Sequence, residues 1–470
     1  MSKRTQPQLI VGMTIASLLA LSFGFTTANL NICKDFMIVE LEWCKGAETI
    51  ECSKAAILGG IVNGAVFAGA ALGSLLMGFI AKYGRRVNMT LISSLYIAGS
   101  TMIATAHCFN CLLIGRIACG VAIGLSGVVP MFITEICPSE SRGFFGIFYP
   151  AFITFGQFAS CAFQLSHGYV LGAKSVYVTI PFLDKFLWRF CQMFPAFFSA
   201  IALVLLRVSF TMSTPHELVE KGKVEEAKVV IEKLHGPERV DEVYEEIDRN
   251  LEVAKATPNI SFIQAVKNKT YRVAIMHGII LAIFQHLTGI SILTSNTAKM
   301  FTVMLGRTYN AVVLSCSITL LNTLITIFQV PFLDKFGRRT FFLTSISIFT
   351  VFSTLPALSK LIDANAGWSG WVSVAGAIGF VFGFALGMGG VFWVYIPEMY
   401  SPEYKNGAFS VTVFANWTTA CLMLSTSDIL LSWSEKFVYI MIFVFSVINF
   451  LHVYFFIKET KGLPIGKAYS

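Results

Sequence analysis

Tyr83-Gly84-Arg85-Arg86 and Phe336-Gly337-Arg338-Arg339 are two short basic turns, and each lies between two long apolar runs. Their glycines are 253 residues apart (337 − 84), a little over half of the 470-residue chain. Similar turns at such a spacing indicate two similar halves, as in membrane carriers that are built from repeats.

A second repeated element supports the same division. In both copies a Glu is followed seven positions later by a basic residue, and the two Glu residues are 263 positions apart (398 − 135). This offset is close to that of the basic turns, which indicates that whole halves are duplicated. The elements are Glu135, Pro138, Arg142 and Gly143 in the first copy, and Glu398, Pro402, Lys405 and Gly407 in the second.

Composition identifies the class of protein. Hydrophobic residues make up 55% of the chain, charged residues 13%, and the mean hydropathy is +0.69, whereas soluble domains contain about 25% charged residues. The chain is therefore predicted to be a polytopic membrane protein in a lipid bilayer. Its net charge of +8 is concentrated in short loops, which is typical of membrane orientation, so we expect no nucleic-acid partner.

Twelve segments are long enough to cross a bilayer, which requires about 20 apolar residues. They are residues 9–30, 57–80, 88–107, 111–134, 144–168, 188–207, 273–293, 309–333, 341–360, 371–396, 408–430 and 437–457. We predict an all-α membrane protein with two pseudo-symmetric six-helix halves. The predicted domains are an N-terminal half (1–207), a cytoplasmic linker of short amphipathic helices (208–270), a C-terminal half (271–457) and a short cytoplasmic tail (458–470).

Charge predicts the orientation of the chain. The four repeated elements and both termini fall on one side of the twelve-helix arrangement and are rich in Lys and Arg, which marks that side as cytoplasmic. The longest loop on the other side, residues 31–55, contains Cys44 and Cys52, which can close a small disulfide loop in an oxidising compartment. Cys33 is an alternative partner, and free thiols fit the spacing equally well. Other cysteines, such as Cys119 and Cys316, lie in apolar runs without metal-ligand spacing, so no metal site is predicted.

The predicted helices contain almost no charged residues away from their ends. An ionisable side chain inside the membrane would indicate an ion or proton pathway, so this pattern favours a neutral substrate without ion coupling. The helix interiors instead contain amides and indoles, which either pair between helices or line a wet cavity. Together these groups suit a sugar, which offers hydroxyls and a flat apolar face. They are Gln285, Asn322, Asn416, Trp393 and Trp417.

Glycines interrupt the tenth predicted helix just before Trp393. Gly387, Gly389 and Gly390 crowd together there, and irregular helical geometry in a membrane is tolerated where it faces protein or a cavity. We therefore predict a hinge beside the substrate.

These motifs together resemble the sugar porter branch of the major facilitator superfamily over nearly the whole chain. They are Gly115-Arg116 with Gly120 and Gly124, Pro130 to Glu135 with Pro138 and Arg142-Gly143, both Gly-Arg-Arg turns, and Glu459-Thr460-Lys461-Gly462. The stretch from Asp35 to Gly46, with Cys52 beyond it, is similar to the hexose transporters of malaria parasites and their apicomplexan relatives. The resemblance implies a facilitative hexose transporter of the plasma membrane, with no enzymatic activity and no cofactor.

The resemblance also implies a sugar site. Gln285, His286 and Ser291 occupy the family's Gln-Gln-x-x-Gly-x-Asn stretch, in which His286 and Ser291 are departures from the family pattern. Asn322, Trp393, Asn416 and Trp417 match other positions at or near the sugar. The fifth helix of the family carries a sugar-binding Gln, but here the aligned residue is Pro150, which is expected to kink the helix. Gln157 lies two turns further on and is the candidate sugar contact of this helix, in a different pose.

The resemblance further implies a cytoplasmic gate of ion pairs that break when the carrier opens inward. The gate residues are Arg85, Arg86, Glu135, Arg142, Asp334, Arg338, Arg339, Glu398 and Lys405. The second turn retains the acidic Asp334 where the first has Ala81, so the second turn should be the firmer latch.

Uniport by alternating access is the expected mechanism. Proton-coupled sugar porters often carry an Asp in the first helix after Gly-Tyr, whereas here Gly24-Phe25 is followed by Thr26. The alternatives are a carrier of another neutral polyol, a proton symporter that uses an unidentified acid, and a sugar sensor on a carrier scaffold. The sequence predicts no particular oligomeric state.

Overall fold

The computed structural model describes residues 6–31, 33–45, 52–138, 142–167, 182–256, 260–295, 308–329, 332, 335–362, 367–463 and 466–469. Within these ranges the regular elements are helices, and none is a strand. The predicted all-α fold of twelve long helices is confirmed. Ten of them are long and apolar enough on their own to cross a membrane.

The first six long helices are Pro7–Ala28, Ser53–Ile80, Arg85–Ala104, Phe109–Leu125 continued by Val128–Ile136, Phe148–Gln164 preceded by Arg142–Gly146, and Phe182–Val208. The second six are Lys269–Leu287 continued by Ile290–Ser295, Thr308–Phe328, Arg338–Ile362, Gly367–Phe384 continued by Val391–Met399, Lys405–Trp433, and Glu435–Phe456. We refer to them in order as the first to the twelfth helix.

Two separate hydrophobic cores correspond to the two halves. Phe132 and Trp188 are buried in the first core, and Phe342 and Tyr395 are buried in the second. Trp417 of the eleventh helix packs with the first core, so the two halves also share an apolar contact.

Several long helices are interrupted where their sequence predicts a weak point. The fifth helix breaks at Ile147, because Pro150 has no N–H to donate to the carbonyl four residues earlier and its ring clashes with that carbonyl. The tenth helix contains a π-helical turn, Ala385–Gly389, within the glycine-rich stretch. Such turns leave backbone groups free for other partners.

The loop at residues 31–55 differs from its prediction, because it contains a helix, Cys33–Glu40. Phe36, Met37 and Ile38 of this helix are buried, so packing against the first half stabilises a segment too short to be helical alone. Four short helices lie between the sixth and seventh long helices: Pro215–Glu220, Val224–His235, Val240–Ala256 and Phe262–Lys267.

The two opposite ends of the bundle carry different features, by which we name them. The arginine face carries the turns at Gly84 and Gly337, where the second helix gives way to the third and the ninth helix begins. The disulfide face carries Cys44 and Cys52, which are joined by a disulfide with their Cα atoms 5.9 Å apart.

Candidate functional site

A chain of hydrogen bonds joins the seventh, tenth and eleventh helices near their middle. Gln285 is buried, and its Nε2 donates to the Met388 carbonyl at 2.8 Å. Asn416, also buried, donates from Nδ2 to Oε1 of Gln285. His286 lies between Oδ1 of Asn416, 3.2 Å from Nε2, and Oγ of Ser291, 2.6 Å from Nδ1. We call Gln285, His286, Ser291 and Asn416 the polar cluster.

The direction of these bonds follows from the atoms available. Asn416 Nδ2 also donates to the Ala282 carbonyl, so Oδ1 is the atom that faces His286. An amide oxygen can only accept, and therefore His286 must carry its proton on Nε2. In the neutral imidazole Nδ1 is then an acceptor, and it receives the Ser291 hydroxyl proton. The cluster is thus a continuous chain of donors and acceptors from Ser291 to Met388.

Local backbone geometry brings these side chains together. Gly289 has a φ of +93°, which permits the sharp break between Lys269–Leu287 and Ile290–Ser295 and directs Ser291 back towards His286. The π-helical turn in the tenth helix exposes the Met388 carbonyl to Gln285. On the other side of this turn, Ser345 accepts from the Met388 N–H at 3.1 Å.

An aromatic wall lies beside the polar cluster. The Trp417 ring centroid is 6.0 Å from that of His286 and 5.8 Å from that of Trp393. From the first half, Phe67 and Phe23 approach Trp417 at 5.7 and 6.1 Å. Trp393 is 37% exposed, and its ring lies beside that of Trp417. Indole faces beside amides and an imidazole match the surface of a sugar ring.

Two other predicted sugar residues lie on different helices. Asn322 is half-buried on the eighth helix, and none of the hydrogen bonds described for the polar cluster involves its side chain. Gln157 donates from Nε2 to Oγ1 of Thr27 at 3.3 Å, so it connects the fifth helix to the first. The structure therefore brings Gln285, His286, Ser291, Asn416 and the two tryptophans together, while Gln157 makes its contact within the first half.

The two halves meet on the disulfide face, where Lys34 and Asp428 form a buried ion pair. Nζ lies 3.0 Å from Oδ2, and the two side chains are 10% and 4% exposed. Gly59 leaves room for the pair, because a Cβ there would stand 3.2 Å from the Lys34 side chain. The next residue, Gly60, packs so closely against the Ser425 carbonyl that a Cβ there would clash with it. The second and eleventh helices are therefore in backbone contact at this face.

On the arginine face, the first basic turn belongs to a cluster within the first half. Arg85 donates from Nη2 and Nε to Oε1 of Glu135 at 2.7 and 2.9 Å. Thr214 donates to the other carboxylate oxygen at 2.7 Å. The Arg85 backbone N–H donates to Glu217, and Gly84, with φ of +96°, leaves space for that carboxylate. Arg86 donates to backbone carbonyls at the end of the sixth helix and just after it.

The second basic turn has an equivalent cluster in the second half. Arg338 donates from Nη2 and Nε to Glu398 at 3.0 and 3.1 Å, and Thr460 donates to Glu398 at 2.7 Å. Glu459 takes the place of Glu217 and accepts from the backbone N–H groups of Arg338 and Arg339 at 2.9 and 3.0 Å. Lys405 interacts electrostatically with Glu398.

The two clusters differ in the state of their second carboxylate. Burial raises the pKa of Glu217, and its single backbone donor from Arg85 does not offset this. Burial acts on Glu459 in the same way, but four backbone N–H groups, from Arg338, Arg339, Thr460 and Lys461, hold its pKa below the usual value. The second turn is therefore the more strongly hydrogen-bonded. Asp334, on which the sequence argument for a firmer second latch depended, lies outside the described residues, as does the side chain of Arg142.

Sequence reasoning missed several residues of these sites. Glu217 and Glu459 differ in their offset from the adjacent turns, so the repeat did not connect them, although Glu459 was visible in a family motif. Lys34 fell in the predicted loop at residues 31–55 and Asp428 near the end of the eleventh predicted helix, and their pairing across 394 residues left no local signal. The two basic turns and their glutamates were found because both copies keep the same spacing.

Other features of the chain are separate from the polar cluster. Arg116 is fully buried and donates to neutral oxygens, the Thr26 carbonyl at 3.0 Å and the Asn29 amide at 3.1 Å. Two clefts of about 370 and 570 Å³ lie between the first and fifth helices and among the eighth to tenth helices. Their linings are mainly Leu, Ile and Phe, which suits acyl chains better than a sugar.

Comparison with known proteins gives a consistent result. A family model described as "Sugar (and other) transporter" matches residues 12–468. Hexose transporter 1 of Plasmodium falciparum (isolate 3D7) is 32% identical over 470 residues, which cover 99% of this chain and 92% of that protein. Hexose transporter 1 of Toxoplasma gondii is 33% identical over 472 residues, covering 99% and 82%.

Solved structures show the same fold. The partially occluded inward open conformation of the xylose transporter XylE from E. coli superposes with a TM-score of 0.77 at 21% sequence identity. The superposition covers 97% of this chain and 99% of XylE.

Proposed function

The chain belongs to the sugar (and other) transporter family and is a sugar transporter of the major facilitator superfamily, and from this premise we propose that it carries hexoses by facilitative uniport. The observation that carries the proposal is the polar cluster beside Trp393 and Trp417. Gln285 and Asn416 present amides, and Trp393 presents a partly exposed ring. A hexose can exchange hydroxyl contacts for the bonds of the cluster while its apolar face rests on the indoles. The hexose transporter relatives favour a hexose over another polyol.

Uniport is supported by the partners of the buried ionisable groups. Thr26 stands where proton-coupled sugar porters often carry an Asp, and its backbone carbonyl accepts a hydrogen bond from Arg116. Arg116 also donates to the Asn29 amide oxygen, so both of these acceptors are neutral. Among the described residues the buried carboxylates are Asp184 and Asp428, and each has a basic partner on the disulfide face. A proton-coupled mechanism requires an acid that changes its protonation along the sugar pathway. None of these groups is in contact with the polar cluster.

Alternating access is supported by where the halves meet. The Lys34–Asp428 pair and the Gly60 contact hold them together on the disulfide face. On the arginine face, Arg85 and Arg338 pair with glutamates of their own half. We infer a conformation that is closed at the disulfide face, and transport would require this face to open while the arginine face closes. Positive residues near the arginine face favour its being cytoplasmic, together with both termini, in a plasma-membrane carrier.

Uptake by purified protein in proteoliposomes tests this proposal. Radiolabelled D-glucose and D-fructose should equilibrate across the membrane at a rate that an imposed proton gradient and a protonophore leave unchanged. Accumulation driven by the gradient would establish symport and overturn uniport. Uptake of sorbitol without either hexose would show a polyol carrier, and binding without uptake of any of them would indicate a sensor.

The variant Gln285→Ala locates the site. It removes the donor to Met388 and the acceptor for Asn416. Two hydrogen bonds are each worth about 0.5–1.5 kcal/mol, so we expect the ratio of uptake rate to KM to fall by about five- to 150-fold. Gln164→Ala is the matched control, since Gln164 is another buried glutamine bonded to backbone, with its Nε2 donating to the Ala28 and Ser160 carbonyls. Equal losses in both variants would remove Gln285 from the sugar site.

A further inference from the structure

Cys108 and Cys111 form an exposed pair of thiols that transport does not explain. They flank Phe109 and Asn110 at the start of the fourth helix, and their Sγ atoms are 3.1 Å apart. Both residues are exposed, whereas most of the other free cysteines of the described chain are buried. The two sulfur atoms are therefore in contact with each other and open to solvent.

Helix geometry makes the two thiols unequal. Cys108 is the residue immediately before the helix, and Cys111 is the third residue within it, so Cys108 lies at the helix N-terminus, where the first N–H groups have no partner within the helix. The nearby backbone N–H and thiol of Cys111 lower the pKa of Cys108 from its usual value. A thiolate at this position is also favoured by the helix dipole. Cys108 is the better nucleophile, and Cys111 is placed to resolve it.

The surroundings indicate which compartment the pair faces. Phe109 packs edge-on against Trp43 with ring centroids 6.1 Å apart, and Trp43 precedes the Cys44–Cys52 disulfide. The thiol pair therefore lies on the disulfide face, beside a bond that forms in an oxidising environment. The turn is held in place by Arg189, which donates to the Ala104 and Ala106 carbonyls at 2.6 and 3.0 Å.

We propose that Cys108 and Cys111 form a thiol–disulfide exchange site, which reacts with small disulfides such as glutathione disulfide. Closing a bond of about 2.05 Å requires the sulfurs to approach by about 1 Å, which side-chain rotation provides without moving the turn. The site is independent of sugar transport, because the turn has no contact with the polar cluster among the described residues.

The reaction has two steps. The Cys108 thiolate attacks one sulfur of glutathione disulfide, the S–S bond breaks, and one glutathione leaves and takes up the proton that Cys108 lost. Cys111 then loses its proton and attacks Cys108 Sγ, which forms the Cys108–Cys111 bond and expels the second glutathione as a thiol. Two electrons pass from the protein to the small disulfide, and the products are one protein disulfide and two glutathione molecules.

Mass spectrometry of the full-length protein in proteoliposomes tests the proposal. Trypsin releases residues 87–116 as one peptide, in which Cys108 and Cys111 are the cysteines. After incubation with glutathione disulfide at graded ratios to glutathione, followed by alkylation, we expect this peptide to lose two hydrogens and both alkylation sites together. A peptide that remains doubly alkylated at every ratio would overturn the proposal.

Two variants separate the roles of the thiols. Cys111→Ser should accumulate a stable mixed disulfide on Cys108, because no resolving thiol remains, and Cys108→Ser should react several-fold more slowly at Cys111. Each unit of pKa depression raises the thiolate fraction about tenfold and lowers its nucleophilicity about threefold, which leaves a net gain of roughly threefold. Equal rates for the two variants would refute the assignment of Cys108 as nucleophile. Uptake by both variants should match that of the unmodified protein, which shows that they are folded.

Discussion

Removing one partner of the Lys34–Asp428 ion pair should open the disulfide face. The charges are 3.0 Å apart, so their Coulomb attraction is about 5.5 kcal/mol at an effective dielectric constant of ~20, before the cost of desolvation. Deleting one member of a buried pair costs about 3–5 kcal/mol, because the other charge stays buried without compensation. That cost applies to the closed arrangement alone, since water reaches the remaining charge once the halves separate.

Lys34→Gln and Asp428→Asn should therefore shift the balance towards an open disulfide face. A change of 3–5 kcal/mol corresponds to a factor of about 150 to several thousand in the equilibrium between the two arrangements. Replacing both residues, as Lys34→Met with Asp428→Leu, removes the unpaired charge and should restore most of the closure.

Two natural cysteines report the opening. Cys161 of the fifth helix and Cys316 of the eighth are buried where the two halves approach each other. A membrane-impermeant maleimide added to proteoliposomes should label them slowly in the unmodified protein and much faster in either single variant. Glu42→Gln is the control on the same face, because the Glu42–Lys45 pair is exposed and contributes little.

The outcome has a clear refutation. If both single variants label Cys161 and Cys316 at the rate of the unmodified protein, the ion pair does not hold this face closed. If the double variant labels as fast as the single ones, the effect comes from lost packing rather than from an unpaired charge.

Four further predictions concern other contacts. Gly64→Ala should slow uptake and expose Cys161 and Cys316, because the added Cβ would clash with Ser425 Oγ. Gly78→Ala is the control and should leave uptake unchanged, because its Cβ would meet nothing within 4 Å. Glu459→Gln should lower Tm by a few degrees at pH 7 and by progressively less as pH falls below about 4. Its depressed pKa contributes stability above the unfolded pKa, and this contribution is lost as pH falls through the folded pKa. Glu217→Gln should have the opposite pH dependence and be neutral or stabilising at pH 7. The raised pKa of Glu217 contributes stability at low pH, and this contribution is lost as pH rises. Equal changes in Tm at neutral and at low pH would contradict the predictions for Glu459 and Glu217. His286→Gln keeps a donor to Asn416 but loses the bond to Ser291, so KM for hexose uptake should change by about two- to tenfold. An unaltered KM for every hexose tested would place His286 outside the sugar contacts.

The helices were more predictable than the contacts between them. The interruption near Pro150 and the irregular turn at Ala385–Gly389 followed from residues that disturb local hydrogen bonding, which is a property of a few neighbours in sequence. The helix Cys33–Glu40 was missed because its stability comes from burial against other helices. The amides and indoles of the proposed sugar site stood out as polar or aromatic groups inside apolar helices, whereas His286 and Ser291 came from the family resemblance, and the roles of all of them stay predictions.

The membrane class, the twelve helices and the two halves could be predicted from the residues alone, because the length of an apolar run is matched to the bilayer and a repeated motif records a duplication. Which residues meet became visible in the folded chain. Lys34 pairs with Asp428 across 394 positions, and Gln285 bonds Asn416 across 131. Contacts at such separations depend on how whole helices pack and rotate against one another, and no local pattern of residue types specifies that packing.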